Sequence, residues 1–156
     1  MGYVEDLRKQ VGNQPLILVR PSAAIINEFG QILLVKYHDD SWGIPGGLME
    51  LGESTEECIR RETKEEIGLD LGKLQLFDVF SGKQLYTKLR NGHEYYNVII
   101  GYICTEFEGE IVPDGVEVIE ARFYSLSEVP ASTQPYIREK LYELGPKLEQ
   151  IFRAAK

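Results

Sequence analysis

Three carboxylates in this chain, those of Glu62, Glu65 and Glu66, are spaced three and four residues apart, which puts them on one face of a helix. Two local signals predict that helix. Ser54 followed by Glu57 forms a capping box, and Gly68 stands where a left-handed C-terminal cap is wanted. Like charges at these spacings cost about 0.2–0.5 kcal/mol per pair, and Glu65 and Glu66 fall in the last turn, where the helix dipole disfavours anions. On this reading the face carries no cation of its own. A bound hard cation that takes carboxylate oxygens as ligands supplies the missing term, with Mg2+ the natural choice and Mn2+ the alternative.

A Glu-rich helix is ordinarily a solvated face. Here Ile59, Thr63 and Ile67 form the apolar stripe, and Arg60 and Lys64 fall beyond it toward water, so the acidic face borders the buried one. Just upstream, Trp42-Gly43-Ile44-Pro45-Gly46-Gly47 reads as an extended segment ending in paired glycines, where backbone can approach a ligand closely. A glycine pair alone is usually a turn. Joined to the acidic helix, it marks a site.

Residues 47–69 resemble the signature of the Nudix hydrolases, carried here by Gly47, Glu53, Arg61, Glu62, Glu65, Glu66, Gly68 and Leu69. Only Thr63 departs, standing at an aliphatic position, and its β-branched side chain can still pack. The resemblance implies a metal-dependent pyrophosphohydrolase that cleaves a nucleoside diphosphate linked to another group, on an α/β/α sandwich with a mixed β-sheet. It implies that Glu62, Glu65 and Glu66 hold one or more metals with help from the Gly47 carbonyl, and that a Glu53–Arg61 salt bridge supports the loop and helix. The chemistry agrees with the residues, because a cation neutralises phosphate oxygens and activates water, and a nearby glutamate can take the proton. Glu66 is one candidate for that base. The family sometimes places the base on a loop outside the box, and Glu94, Glu117 and Glu120 are further candidates, although each is an ordinary surface carboxylate on the blander reading.

The 156 residues, 43% of them hydrophobic, read as a single domain over 1–156 with enough chain for a core. A formal charge of −8 argues against a broad duplex nucleic-acid footprint, which needs clustered Lys and Arg, but leaves room for a small nucleotide substrate held through metal. Cys58 and Cys104 have no metal-binding spacing and suggest no disulfide framework; both read as small buried residues. The start lacks a signal-peptide core, Asp6 fails the myristoylation pattern, and no segment has the length of a membrane span. The expected location is the cytoplasm, and a homodimer is the default assembly.

The elements that must position the box follow from periodicity and turn residues. A short helix is predicted over residues 3–11 and a strand over 16–26, in which Pro21 argues for an edge or a bulge. Asn27-Glu28-Phe29-Gly30 reads as a hairpin turn into a strand over 31–37. Beyond the box come strands over 74–80, 84–88, 95–107 and 118–124, with a turn at Asn91-Gly92. The tail over 133–156 is helical in pattern, interrupted at Gly145-Pro146.

Candidate substrate contacts are Arg20, presented by a strand that Pro21 would bend, and Tyr86. Lys36, Lys83, Lys88 and Arg90 are other basic residues beside the expected strands, and Tyr95, Tyr96 and Trp42 other aromatic ones; packing and surface roles are their ordinary explanation. In some groups of the resembling family, a tyrosine after the box accompanies dinucleoside polyphosphates and a proline slightly earlier accompanies ADP-ribose. Tyr86 stands in that region and no proline is near. The extended motif of the NADH-cleaving group is absent, and the acidic charge argues against a capped RNA end. The alternative reading is a non-catalytic Nudix-like nucleotide-binding or sensor module, a kind that usually loses box glutamates; this chain keeps all of them.

Overall fold

The computed structural model describes residues 2–154, so Met1 and the last two residues of the expected C-terminal helix, Ala155 and Lys156, lie outside the described residues. The first helix, α1, is Tyr3–Val11, as predicted. Strand β1 follows at Leu16–Ile25, β2 at Ile32–Lys36 and the short β3 at Trp42–Gly43. The box helix is α2, Thr55–Ile67. Then come β4 (Asp70–Leu71), β5 (Gln75–Phe80), a 3-10 turn (Lys83–Leu85), β6 (Tyr86–Lys88), β7 (Glu94–Cys104), β8 (Phe107–Glu108), β9 (Glu120–Tyr124) and α3 (Pro135–Ala154).

The main sheet is mixed. β7 lies between β1, which it pairs in parallel, and β5, which it pairs antiparallel, while β6 pairs with the first part of β7. A second sheet runs β3-β2-β9, all antiparallel, and β4 pairs with β8. Alternation along β1 and β2 explains why both read as nearly continuous apolar runs: helices cover both sides of these strands. Ala23, Ile25, Leu33 and Val35 pack in a core with Ile59 and Ile67 of α2. Ala24, Ile26, Ile32 and Leu34 pack in another with Ile137, Leu144 and Leu148 of α3.

Five expectations need correction in whole or in part. Asn27 to Gly30 do form a tight turn, with the Gly30 N–H donating to the Asn27 carbonyl at 3.0 Å. The hairpin, however, ends at the single bridge between Ile26 and Ile32, because β1 goes on to pair with β7 and β2 with β9. Of the two expectations for Pro21 the edge holds, since β1 ends the order β1-β7-β5, and the bulge does not: β1 stays in unbroken register with β7 from Leu16 to Ile25. The Pro21 carbonyl accepts from Gly47 N–H, so the missing proline N–H would also have pointed away from β7, and the ladder loses nothing. The predicted strand over 84–88 begins as the 3-10 turn, and the one over 95–107 ends at Cys104. Finally, α3 runs through Gly145-Pro146 without a break, because Leu144 and Leu148 on either side are buried in one core that holds the helix across the weak point.

Cys58 and Cys104 are free and buried, as expected. Among the described residues no helix is long and apolar enough to cross a membrane.

Candidate functional site

The site is assembled on the side of β1 that faces away from β7. Residues 45–49 run along that edge as a strap: Ala23 N–H donates to the Pro45 carbonyl (2.9 Å), Gly47 N–H to Pro21 (3.2 Å) and Met49 N–H to Val19 (3.4 Å). The two glycines in the strap are there for space, since neither has a positive φ. A Cβ on Gly46 would lie 2.7 Å from the Pro21 carbonyl, and one on Gly47 would lie 2.1 Å from the Glu62 carboxyl carbon. Close approach between strap and helix therefore fixes where Glu62 can be.

Helix α2 is terminated as its sequence predicts. The Ser54 hydroxyl accepts the Glu57 N–H at 3.0 Å, and Gly68 takes the left-handed conformation with φ 78°. Between these caps the predicted helical phase holds, with Cys58, Ile59, Thr63 and Ile67 buried. Arg60 corrects one expectation. Its guanidinium reaches the Leu71 carbonyl instead of ending in water, and so ties α2 to β4.

Arg61 donates to five residues, the weakest contact being to the Cys58 sulfur at 3.9 Å. It grips Glu53 with two nitrogens, Nε to Oε2 at 2.6 Å and Nη2 to Oε1 at 3.0 Å, and donates through Nη1 to Glu62 at 2.9 Å. Nη2 also reaches the Leu48 carbonyl at 3.3 Å. The strap, the loop and the helix are thus joined by one planar side chain, which suits a bidentate partner. The expectation of a carboxylate face without a cation is corrected here, since Arg61 also donates to Glu65 at 3.3 Å. Glu65 is the exposed member of the three, with 60% of its side chain accessible.

The Arg61 hydrogen bonds hold the Glu53 carboxyl down at about 2, against an ordinary 4.5. A depressed carboxyl stabilises the fold above its unfolded value and stops doing so as pH falls through its folded value. Comparing acid unfolding of the protein with that of Glu53→Gln should therefore show the parent's advantage intact above about 4.5 and gone by about 2. A constant difference across this window would show that the pair contributes no linked stability.

The carboxylates brought together are Glu62, Glu66 and Glu117, each offering one oxygen within 4.8 Å of the others. Of the three candidates outside the box for a base, only Glu117 comes here and only it lies on a loop: Glu94, at the start of β7, bonds the Tyr86 hydroxyl, and Glu120, at the start of β9, pairs with Arg122 at 3.0 Å. Glu66 is 2% exposed. Its Oε2 is buried and has no hydrogen-bond partner. Burial pushes the Glu66 carboxyl well above the usual carboxylate range; Arg20 opposes this and Glu62 adds to it. Glu62 is shifted the same way by burial, with Arg61 opposing. A buried carboxylate with an unpartnered oxygen, grouped with two further carboxylates, is costly without a ligand. The donor set is all oxygen and acidic, and it fits a hard divalent cation. The Gly47 carbonyl, expected to assist, accepts the Cys58 thiol from the core side at 3.6 Å.

Beside the cluster lies a cavity of about 470 Å3, within the size range of small-molecule sites. Arg20 lines it with Tyr37, Tyr86, Asn97, Gln134 and Tyr136. Arg20 donates to the Gly46 carbonyl at 3.3 Å, and among the described residues no carboxylate lies within ion-pair distance of it. Its charge also acts on Glu66, so cavity and carboxylates are electrostatic neighbours. Of the other basic candidates, Lys36 pairs with Asp40 at 3.4 Å, and Lys83, Lys88 and Arg90 are exposed. Trp42 is a core residue, packed edge-on against Tyr124. Sequence reasoning did not single out Tyr37, Asn97, Gln134 or Tyr136. No local pattern marks them, because three separate segments bring them to one cavity.

Comparison with known proteins adds a family model, described as the NUDIX domain, that matches residues 18–145. A putative ADP-ribose pyrophosphatase of Bacillus subtilis (strain 168) is 34% identical over 101 residues, covering 64% of this chain and 47% of the relative. The ADP-ribose pyrophosphatase of Methanocaldococcus jannaschii is 33% identical over 110 residues, covering 68% of this chain and 61% of the relative. This chain thus spans about half the length of these curated relatives. The crystal structure of a MutT NUDIX hydrolase from Burkholderia pseudomallei superposes with a TM-score of 0.67 at 27% identity, covering 83% of this chain and 97% of that one.

Proposed function

Because this chain belongs to the Nudix family, we propose that it is a metal-dependent pyrophosphohydrolase acting on a nucleotide or nucleoside diphosphate conjugate. The observation that carries this reading is the gathering of Glu62, Glu66 and Glu117 within 4.8 Å of one another, around a Glu66 that is buried and has one oxygen without a partner, an arrangement that a divalent cation would complete. Glu62, Glu66 and Glu117 would hold Mg2+ or Mn2+ with help from the Gly47 carbonyl, whereas Glu65, expected as a ligand, is exposed, bonds Arg61 and lies outside this group. When bound, the cation neutralises phosphate oxygens and lowers the pKa of the attacking water.

The chain's own residues do the rest. Arg61 holds Glu62 in place and carries the strap with it through Glu53 and Leu48. Glu117, the exposed carboxylate of the cluster, accepts the proton of the attacking water. As the new oxygen–phosphorus bond forms, the anhydride bond breaks and the leaving phosphate departs with the electron pair. Arg20 faces the cavity without a carboxylate partner and is suited to a substrate phosphate, with Tyr86 at the rim.

The relatives' names bring ADP-ribose forward as a candidate, although the residues after the box did not favour it. The deciding experiment is a panel of ADP-ribose, 8-oxo-dGTP, NAD+ and dinucleoside polyphosphates with magnesium, read by product identification. Turnover of one class supports the proposal. Binding without product from any of them would leave only a nucleotide-binding module.

Arg20→Lys should lose catalytic efficiency by about tenfold and Arg20→Ala by about a hundredfold on the best substrate, the scale of one or two charge-assisted hydrogen bonds. Melting temperatures measured alongside separate this from misfolding. Unchanged kinetics in both variants would remove Arg20 from substrate binding.

A further inference from the structure

Glu117 reaches the cluster from a loop far along the chain, and an exposed loop carboxylate has no reason of its own to stay there. The loop is anchored at both ends. Asp114 N–H donates to the Glu66 carbonyl at 2.8 Å, Val118 is fully buried, and Ile119 N–H donates to the Lys36 carbonyl at 2.9 Å. Between these anchors the chain must turn through Gly115, whose φ is 77°.

The turn leaves a row of N–H groups pointing inward, and one carboxylate oxygen takes them. Asp114 Oδ1 accepts from the N–H groups of Val116 (3.1 Å), Glu117 (3.2 Å) and Val118 (3.0 Å). The Gly115 N–H closes the turn on the Val118 carbonyl at 2.9 Å, and the His38 ring meets the Val116 carbonyl from outside. With its oxygen committed to the loop's own backbone, Asp114 does not join the group formed by Glu62, Glu66 and Glu117. A further acid beside three others is tolerated because three N–H dipoles face it.

We propose that Asp114 is the positioning residue for Glu117: its carboxylate locks the turn that carries Glu117 to Glu62 and Glu66. The inference rests on the reading of Glu117 given above. It also extends that reading, because it assigns the reach of the loop carboxylate to a side chain that touches neither substrate nor cation. Asparagine at 114 keeps an oxygen able to accept the same three N–H groups, whereas alanine removes it.

The test uses amide hydrogen exchange in the metal-free protein and steady-state kinetics with magnesium on whichever of ADP-ribose or 8-oxo-dGTP is cleaved faster. Asp114→Ala should speed exchange at the amides of Val116, Glu117 and Val118 by about tenfold or more, while Asp114→Asn keeps most of their protection. In turnover, Asp114→Ala should lower kcat by about tenfold or more with KM within about twofold, since misplacement of a reacting group acts on the transition state. The double variant with Glu117→Gln should be no slower than Glu117→Gln alone. Parent-like exchange in Asp114→Ala, or effects that multiply in the double variant, would overturn the lock. If Glu117→Gln itself turned over at the parent's rate, the role of Glu117 would fall and the positioning claim with it. A slow Glu117→Gln beside a fast Asp114→Ala would overturn the positioning claim alone.

Discussion

Glu66→Gln is expected to lower kcat by about two to three orders of magnitude while leaving the fold intact, the loss typical of removing one strong electrostatic contact at a reaction centre. The amide keeps the shape of the side chain inside a site that admits 2% exposure, so packing against α2 and the strap is retained. What is lost is a negative oxygen that has no other partner. Without metal the variant should melt no lower than the parent, because burial already disfavours the Glu66 charge. With magnesium the parent should gain melting temperature and the variant much less, since only a ligand that binds the folded state shifts the transition. An active Glu66→Gln protein with the parent's magnesium dependence would remove the carboxylate cluster from the mechanism.

The adjacent arginines should behave differently. Arg61→Ala strands Glu53, whose side chain is only 11% exposed, and releases Leu48 and Glu62 together. Breaking a buried pair costs about 3–5 kcal/mol, and about 2 is the fairer figure here because Arg61 is nearly a third exposed. Turnover should suffer more than substrate affinity, with kcat down by about a hundredfold, since Glu62 loses its place relative to Gly47. Arg60→Ala should lower melting temperature through the lost bond to the Leu71 carbonyl and leave kcat near the parent's. Equal losses of kcat from both arginines would mean that Arg61 acts only through general stability of α2.

The local features of the site are legible without coordinates. The capping box, the glycine cap and the helical phase of α2 depend on residues within a few positions of each other, so Ser54, Glu57, Ile59, Ile67 and Gly68 suffice to specify them. The Glu53–Arg61 pair was available only through resemblance to a family, because residues that far apart along a loop and helix meet by no local rule. Arg60 was misread for a related reason: helical phase says which way a side chain leaves the helix, but not that β4 brings the Leu71 carbonyl to meet it.

From its sequence alone this protein takes the acidic helix with both caps and the apolar runs that become strands; the paired glycines were read as room for a ligand, whereas the structure uses them for the close approach of the strap to β1 and to Glu62. The helix and the runs follow from spacing and capping over short stretches. The tertiary structure alone decides the partners. It pairs β1 with β7 instead of β2, carries α3 through Gly145-Pro146 on shared core contacts, and turns Glu65 toward Arg61. It also selects Glu117, on a loop, from three glutamates outside the box among which the sequence did not choose. Each of these choices joins segments distant along the chain, where the deciding energy is burial and hydrogen bonding between elements that no local pattern records.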